Sequence, residues 1–284
     1  MKNLIIRSIT GVIFVAAIVT CFLRPIAMVF LFAVVTGMTV WEFTGLVNRR
    51  ENVSVNRFIT TVAAVYLFLA MMGYNSGLTP DHVFVPYLVT LIYLLVAELY
   101  MKAEDPIHNW AYTMFSQLYI ALPFSLLNVL AFPAPSNAYT MVLPLSVFIF
   151  LWVNDSGAYL AGSLLGRHKL FPRVSPGKSW EGSVGGALLV VAAAVAIWHL
   201  TINYAPQYSP STVGMNMIEF AGMGVVVTVF GTWGDLVESL FKRTLHIKDS
   251  GNILPGHGGM LDRFDSSLLA IPAVVVYLYT ISLF

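Results

Sequence analysis

Charge is sparse in this sequence: 10% of its 284 positions are charged against 58% hydrophobic, and the mean hydropathy is +0.78. A soluble globular domain is excluded by that balance, since about a quarter of such a domain is charged. Cysteine is scarcer still. The single Cys21 cannot close an intramolecular disulfide and offers no thiolate set to zinc, which removes redox and zinc–thiolate chemistry. Also missing are the roughly ten-residue segments of alternating polarity that mark an outer-membrane barrel, because runs such as GALLVVAAAVAIWHL at 186–200 are continuously apolar. There is no internal repeat, direct or inverted, and no low-complexity tract.

What is present is a series of apolar windows long enough to cross a bilayer, which takes about 20 residues per helix. They run from Leu4 to Leu23, Ile26 to Val47, Phe58 to Tyr74, Val83 to Tyr100, Tyr112 to Phe132, Met141 to Leu165, Val184 to Tyr204, Phe220 to Leu240 and Leu268 to Phe284. The expected fold is therefore all-α and polytopic, with about nine transmembrane helices. It forms one membrane domain over 1–284, with N-terminal helices in 1–140 and the catalytic helices and loops in 141–284. Lys2 and Arg7 before an apolar stretch, and IVTC around Cys21, imitate a signal peptide. The apolar run continues to Leu23, so the segment is kept as the first helix. With nine spans, all 15 lysines and arginines except Arg24 fall on the side of the N-terminus. By the positive-inside rule the N-terminus is cytoplasmic and the C-terminus outside. The two longest polar loops, Gly166 to Ser183 and Phe241 to Ser267, then both face the cytoplasm.

Each of those loops adjoins a helix that carries acid: VNDSGAY holds Asp155, and FGTWGDLVES holds Asp235 and Glu238. An ionised carboxylate at membrane depth costs about 2.5 to 3.5 kcal/mol on insertion scales unless it has a cation or a wet cavity. On a helix Asp235, Glu238 and Ser239 share one face, with Lys242 and Arg243 one turn on. Glu42, Glu98 and Glu219 stand alone and read as structural or interfacial.

The later loop reads KDSGNILPGHGGMLDRFD from Lys248 to Asp265. Gly256, Gly258 and Gly259 around His257 can expose backbone amides and admit a phosphate closely. Asp262 and Asp265, three apart at the start of the last helix, offer hard oxygen ligands of the kind magnesium takes. Glycines, cations and acids together suit a phosphoanhydride site. In the earlier loop, GKS resembles the tail of a P-loop, but Pro172 stands where the required glycine should be and no strand precedes it. Arg173, Ser175, Lys178 and Ser179 read instead as a cationic, hydroxyl-bearing loop for an anionic headgroup or a triphosphate. The glycines at 182, 185, 186, 222, 224, 231 and 234 read as close helix packing.

Taken together, Ser239, Lys242, Arg243, Lys248, Asp249, His257, Gly258, Gly259, Asp262, Arg263 and Asp265 fill the pattern S-x-x-K-R-x4-K-D, spacer, H-G-G-x-x-D-R-x-D. The sequence thereby resembles the CDP-diacylglycerol synthases, or phosphatidate cytidylyltransferases. SPGKSWEG, NDSGAY and the multi-span layout are similar too. The resemblance implies transfer of CMP from CTP to phosphatidate, giving CDP-diacylglycerol and pyrophosphate, with Mg2+ required and room for a second metal ion, K+ or Mg2+. It implies a metal pair at Asp235 and Asp262, with Asp249 and Asp265 next in rank, either for metal or for orienting the basic residues. Lys242, Arg243, Lys248 and His257 would act on phosphates, while Asp155, Ser175, Lys178, Ser239, Gly258, Gly259 and Arg263 would line the substrates. The expected setting is the cell inner membrane, with the active site facing the cytoplasm, the bilayer as partner, no nucleic acid, and a homodimer as one assembly. Competing readings are a cytidylyltransferase for another membrane lipid phosphate, a secondary transporter of an anionic solute, and a CDP-alcohol phosphotransferase. The transporter would place its polar groups near the midplane in repeated halves, and the phosphotransferase lacks its D-G-x-x-A-R element here.

Overall fold

The computed structural model describes residues 2–134, 136–251, 253, 258–281 and 283, with side chains from Thr10 onward. Each apolar window is helical: α1 (Lys2–Phe22), α2 (Pro25–Val47), α3 (Arg57–Asn75), α4 (Val85–Met101), α5 (Pro106–Ser116), α6 (Leu122–Ala131), α7 (Val142–Leu165), α8 (Trp180–Tyr204), α9 (Met217–Thr244) and α10 (Leu261–Thr280). A π-helical turn, Gln117–Ala121, joins α5 to α6. Pro123 follows it. A proline in an α-helix would push its ring against the carbonyl four residues back and leave that carbonyl without a donor, and a widened turn relieves both. Among the described residues seven helical segments are long and apolar enough to cross a membrane, which makes this a multi-pass membrane protein.

The chain divides into two compact units. The first comprises 1–139 and 244–264, the second 140–243 and 265–284. The core of the first is phenylalanine: the Phe264 ring sits 5.5 Å from Phe124, 5.6 Å from Phe14 and 6.0 Å from Phe32. Edge-to-face pairs of this kind add about 0.5–1.5 kcal/mol each beyond burial. Buried amides tie its helices together, Gln117 Nε2 donating to the Thr60 carbonyl and Asn128 Nδ2 to that of Phe68. These are partners that water cannot supply in an apolar interior. Glu98 accepts from Asn109 Nδ2 at 3.0 Å, so this acid also has a structural partner.

In the second unit, small residues let helices touch. A Cβ on Gly157 would lie 3.0 Å from Gly186 Cα, and one on Gly182 would lie 2.9 Å from the Ala158 carbonyl. α7 and α8 are thus zipped by small residues at four-residue spacing. Between them stands a departure from the all-helical expectation. Lys169–Phe171 and Ser175–Ser179 form an antiparallel hairpin, β1 and β2. SPGKS, with its proline and glycine, has poor strand propensity. Tertiary bonds hold it: Glu181 accepts from the Arg167 and His168 amides at 3.1 and 3.2 Å, and Trp180 N donates to the His168 carbonyl. α8 starts at Trp180 rather than Val184 because Ser179 Oγ caps it, accepting from Gly182 N at 3.1 Å. Glu219 likewise belongs to a helix start, accepting from Asn216 N at 2.8 Å.

Candidate functional site

The acids of the second unit converge because of glycine. A Cβ on Gly234 would lie 2.7 Å from the Asp265 carbonyl and 3.0 Å from Ser266 Cα, so α9 crosses α10 with backbones in contact. Asp235, next in sequence, thereby meets Asp265, and Glu238, one turn on, joins them. The ligand oxygens of Asp235, Glu238 and Asp265 lie within 4.8 Å of one another. At an effective dielectric of about 20, two ionised carboxylates that close repel by about 3–4 kcal/mol. Two lysines offset part of this. Lys178 Nζ lies 2.5 Å from Asp235 Oδ2, and Lys242 Nζ lies 2.5 Å from the fully buried Glu238. Ser239 Oγ donates to Asp235 Oδ1 at 3.1 Å and fixes its orientation. Three hard oxygen donors this close together fit a divalent cation such as magnesium.

Beside Lys178 is a cavity of about 340 Å3 whose wall includes Asn154, Asp155, Lys178, Ser179, Ser183 and Thr232. Asn154 Oδ1 is buried without a hydrogen-bond partner, packed against Gly186 of α8. Lys178 reaches the cavity from the strand, not from a loop as its sequence suggests. Ser175 opens the same strand, half-buried, and Arg243 is exposed at the end of α9.

The first unit carries the other half of the signature. Asp262 Oδ2 accepts from Ser250 N and Gly259 N, both at 2.8 Å, with Ser250 Oγ 2.9 Å away. Glu42, which sequence reading leaves as an isolated structural acid, reaches the same knot. Its Oε1 accepts from Ser250 Oγ at 2.5 Å and Leu261 N at 3.1 Å, and its Oε2 from Met260 N at 2.9 Å. The glycines are spaced for these carboxylates. A Cβ on Gly251 or Gly259 would strike Glu42, and one on Gly258, at φ +81°, would strike Asp262. The Gly259 amide, expected to face a phosphate, is held instead by Asp262, and the neighbouring Met260 amide by Glu42. Lys248, Asp249 and Arg263 are exposed around the knot. His257, with Gly256, lies outside the described residues. Glu42 was detectable in principle: an acid in α2 with no cation within a turn must find a partner elsewhere. Glu238 shares the face of Asp235 in sequence, but only the approach of α10 makes it part of a cluster.

The pattern of acids, lysines and glycines can be set beside known proteins. The model of the Cytidylyltransferase family matches residues 5–281. The chain belongs to the cytidylyltransferase family. Among its relatives, the phosphatidate cytidylyltransferase of Haemophilus influenzae is 32% identical, covering 94% of this chain and 95% of that one. That of Staphylococcus aureus is 28% identical over 96% and 98%, and that of Staphylococcus saprophyticus 30% over 81% and 84%. Kinship thus runs through the whole cytidylyltransferase chain, N-terminal helices included.

Proposed function

We propose that this cytidylyltransferase transfers CMP from CTP to phosphatidate, giving CDP-diacylglycerol and pyrophosphate. The observation that carries the reading is its full-length similarity to proteins named phosphatidate cytidylyltransferase. In the reaction an oxygen of the acceptor phosphate forms a bond to the α-phosphorus of CTP, and the bond from that phosphorus to the pyrophosphate oxygen breaks. The attacking oxygen is already anionic, so the protein needs no strong general base. Its task is positioning and neutralising charge. Lys242, Arg243 and Lys248 hold phosphates, with His257 in the same role, and Lys178 and Ser175 bind an anionic substrate group at the cavity that Asp155 helps to line. Asp249 and Arg263 orient the neighbouring charges, and Gly258 and Gly259 give the loop its close turn. Magnesium, when bound, neutralises charge developing on the α-phosphate and the leaving group. Asp235, Glu238 and Asp265 are suited to hold it, and Asp262 is the further acid that the signature assigns, with K+ or a second Mg2+ as the other ion.

The membrane arrangement we infer has nine crossings, adding α1 and α10 to the seven that qualify by length and hydropathy. The N-terminus and both polar loops are cytoplasmic and the C-terminus is outside, in the inner membrane of a bacterial cell. The one-sided distribution of lysine and arginine supports this. Every residue assigned above comes from one chain, so a homodimer would carry two sites. The decisive experiment is conversion of labelled CTP and phosphatidate to a chloroform-soluble CDP-lipid by purified protein, with and without magnesium and beside Asp262→Ala. Magnesium-dependent product that disappears in the variant supports the assignment, and folded wild type that makes none refutes it.

A further inference from the structure

In the first unit an apolar groove of about 500 Å3 runs between α2 and α3, lined by Phe30, Val34, Gly37, Trp41, Val65 and Ile253. It is a built trough rather than surface roughness. Gly37 leaves the notch, with Val65 Cγ2 standing 3.0 Å from where its Cβ would be. On α3, Thr61 and Val65 share a helical stripe with Arg57, at successive intervals of four. Arg57, one turn before Thr61, stands beside the trough at Trp41. Its guanidinium lies over the Trp41 ring, 4.1 Å from the centroid, and its Nη2 donates to the Trp41 carbonyl at 2.9 Å. Its Nε is buried without a hydrogen-bond partner. Gly45 admits this packing, since a Cβ there would lie 2.7 Å from Nη2. The trough also meets Ile253, in the segment that joins Lys248 and Asp249 to Gly258 and Asp262.

A cation beside an open apolar groove is complementary to one ligand class: a lipid with an anionic phosphate and a long acyl chain. We propose that this groove is the acceptor-lipid subsite, taking one acyl chain of phosphatidate along α2 and α3 while Arg57 donates to the lipid phosphate. The proposal rests on the transferase reading above. It explains why a reaction between phosphates needs these N-terminal helices, and it makes chain length a specificity determinant.

The test uses the full chain in detergent micelles. Val34→Trp, on the exposed wall, fills the trough without entering the protein core. The ratio of KM for dioleoyl phosphatidate to KM for dihexanoyl phosphatidate should rise about tenfold, the scale of displacing two methylenes from an apolar site. An unchanged ratio overturns the proposal, including the case where both KM values rise together. Independently of any variant, phosphatidate carrying a diazirine in one acyl chain should label wild-type residues within 30–41 or 61–65. Excess phosphatidate, but not phosphatidylcholine, should compete the label away. Competition by both lipids would make the groove a bulk-lipid contact and overturn the proposal. Turnover of dioleoyl phosphatidate by wild type keeps the two readings apart, because its absence would refute the transferase reading, whereas the groove is judged by the KM ratio and the label.

Discussion

Replacing Glu42 by glutamine exchanges one carboxylate oxygen for an NH2 group, yet it should disable the protein. The carboxylate accepts three hydrogen bonds: from Ser250 Oγ and Leu261 N on Oε1, and from Met260 N on Oε2. A glutamine has one acceptor oxygen, so in either orientation its NH2 group faces a backbone N–H of Met260 or Leu261. One buried donor is orphaned, at about 1–3 kcal/mol, and the surviving bonds fall from charge-assisted to neutral strength, losing about 1 kcal/mol more. Roughly 3 kcal/mol is thus withdrawn from the knot that fixes Ser250 to Asp262. If the transition state needs that segment ordered, kcat/KM for CMP transfer should fall about 100-fold. The helices do not depend on the knot, so circular dichroism and span insertion should match wild type. The assay is labelled-CTP incorporation into CDP-lipid at saturating phosphatidate. A Glu42→Gln protein within threefold of wild type would refute the claim that this carboxylate positions the segment.

Other substitutions probe the second unit. Lys178→Met removes the ammonium beside Asp235 and from the cavity wall, and should lower kcat/KM about 100-fold, the usual effect of losing one charge-stabilising donor. Lys178→Arg should retain more of the activity in the same assay. Gly234→Ala forces a methyl against the Asp265 carbonyl at 2.7 Å. It should cost about 1–3 kcal/mol by thermal unfolding and raise the magnesium concentration needed for half-maximal turnover. Asp105 caps α5, and its carboxyl is held below the usual carboxylate range, first by the His108 amide and then by the His108 ring. Its contribution is therefore present above the ordinary carboxylate pKa of about 4 and fades as pH falls through the lowered value. Protection of the His108 amide, its intrinsic exchange rate relative to the observed rate at each pH, should fall on acidification in wild type and stay flat with pH in Asp105→Ala.

The sequence by itself determined the class, the helices and the signature. Apolar windows and their breakers are local properties, as are the glycines at four-residue spacing that let α7 and α8 meet, and each window is occupied by a helix in the structure. The face shared by Asp235, Glu238 and Ser239 was legible for the same reason, because helical periodicity alone sets it. Tertiary structure decided what those local pieces do. SPGKS becomes a strand where it pairs with Lys169–Phe171, next to the Arg167 and His168 amides that Glu181 holds. The α9 acids become a three-carboxylate cluster only because Gly234 lets α10 bring Asp265 against them. Glu42 finds its partner Ser250 a full 208 positions away. Such contacts carry no periodic signal. They arise because a charge in an apolar helix must be satisfied somewhere, and only the folded chain determines where.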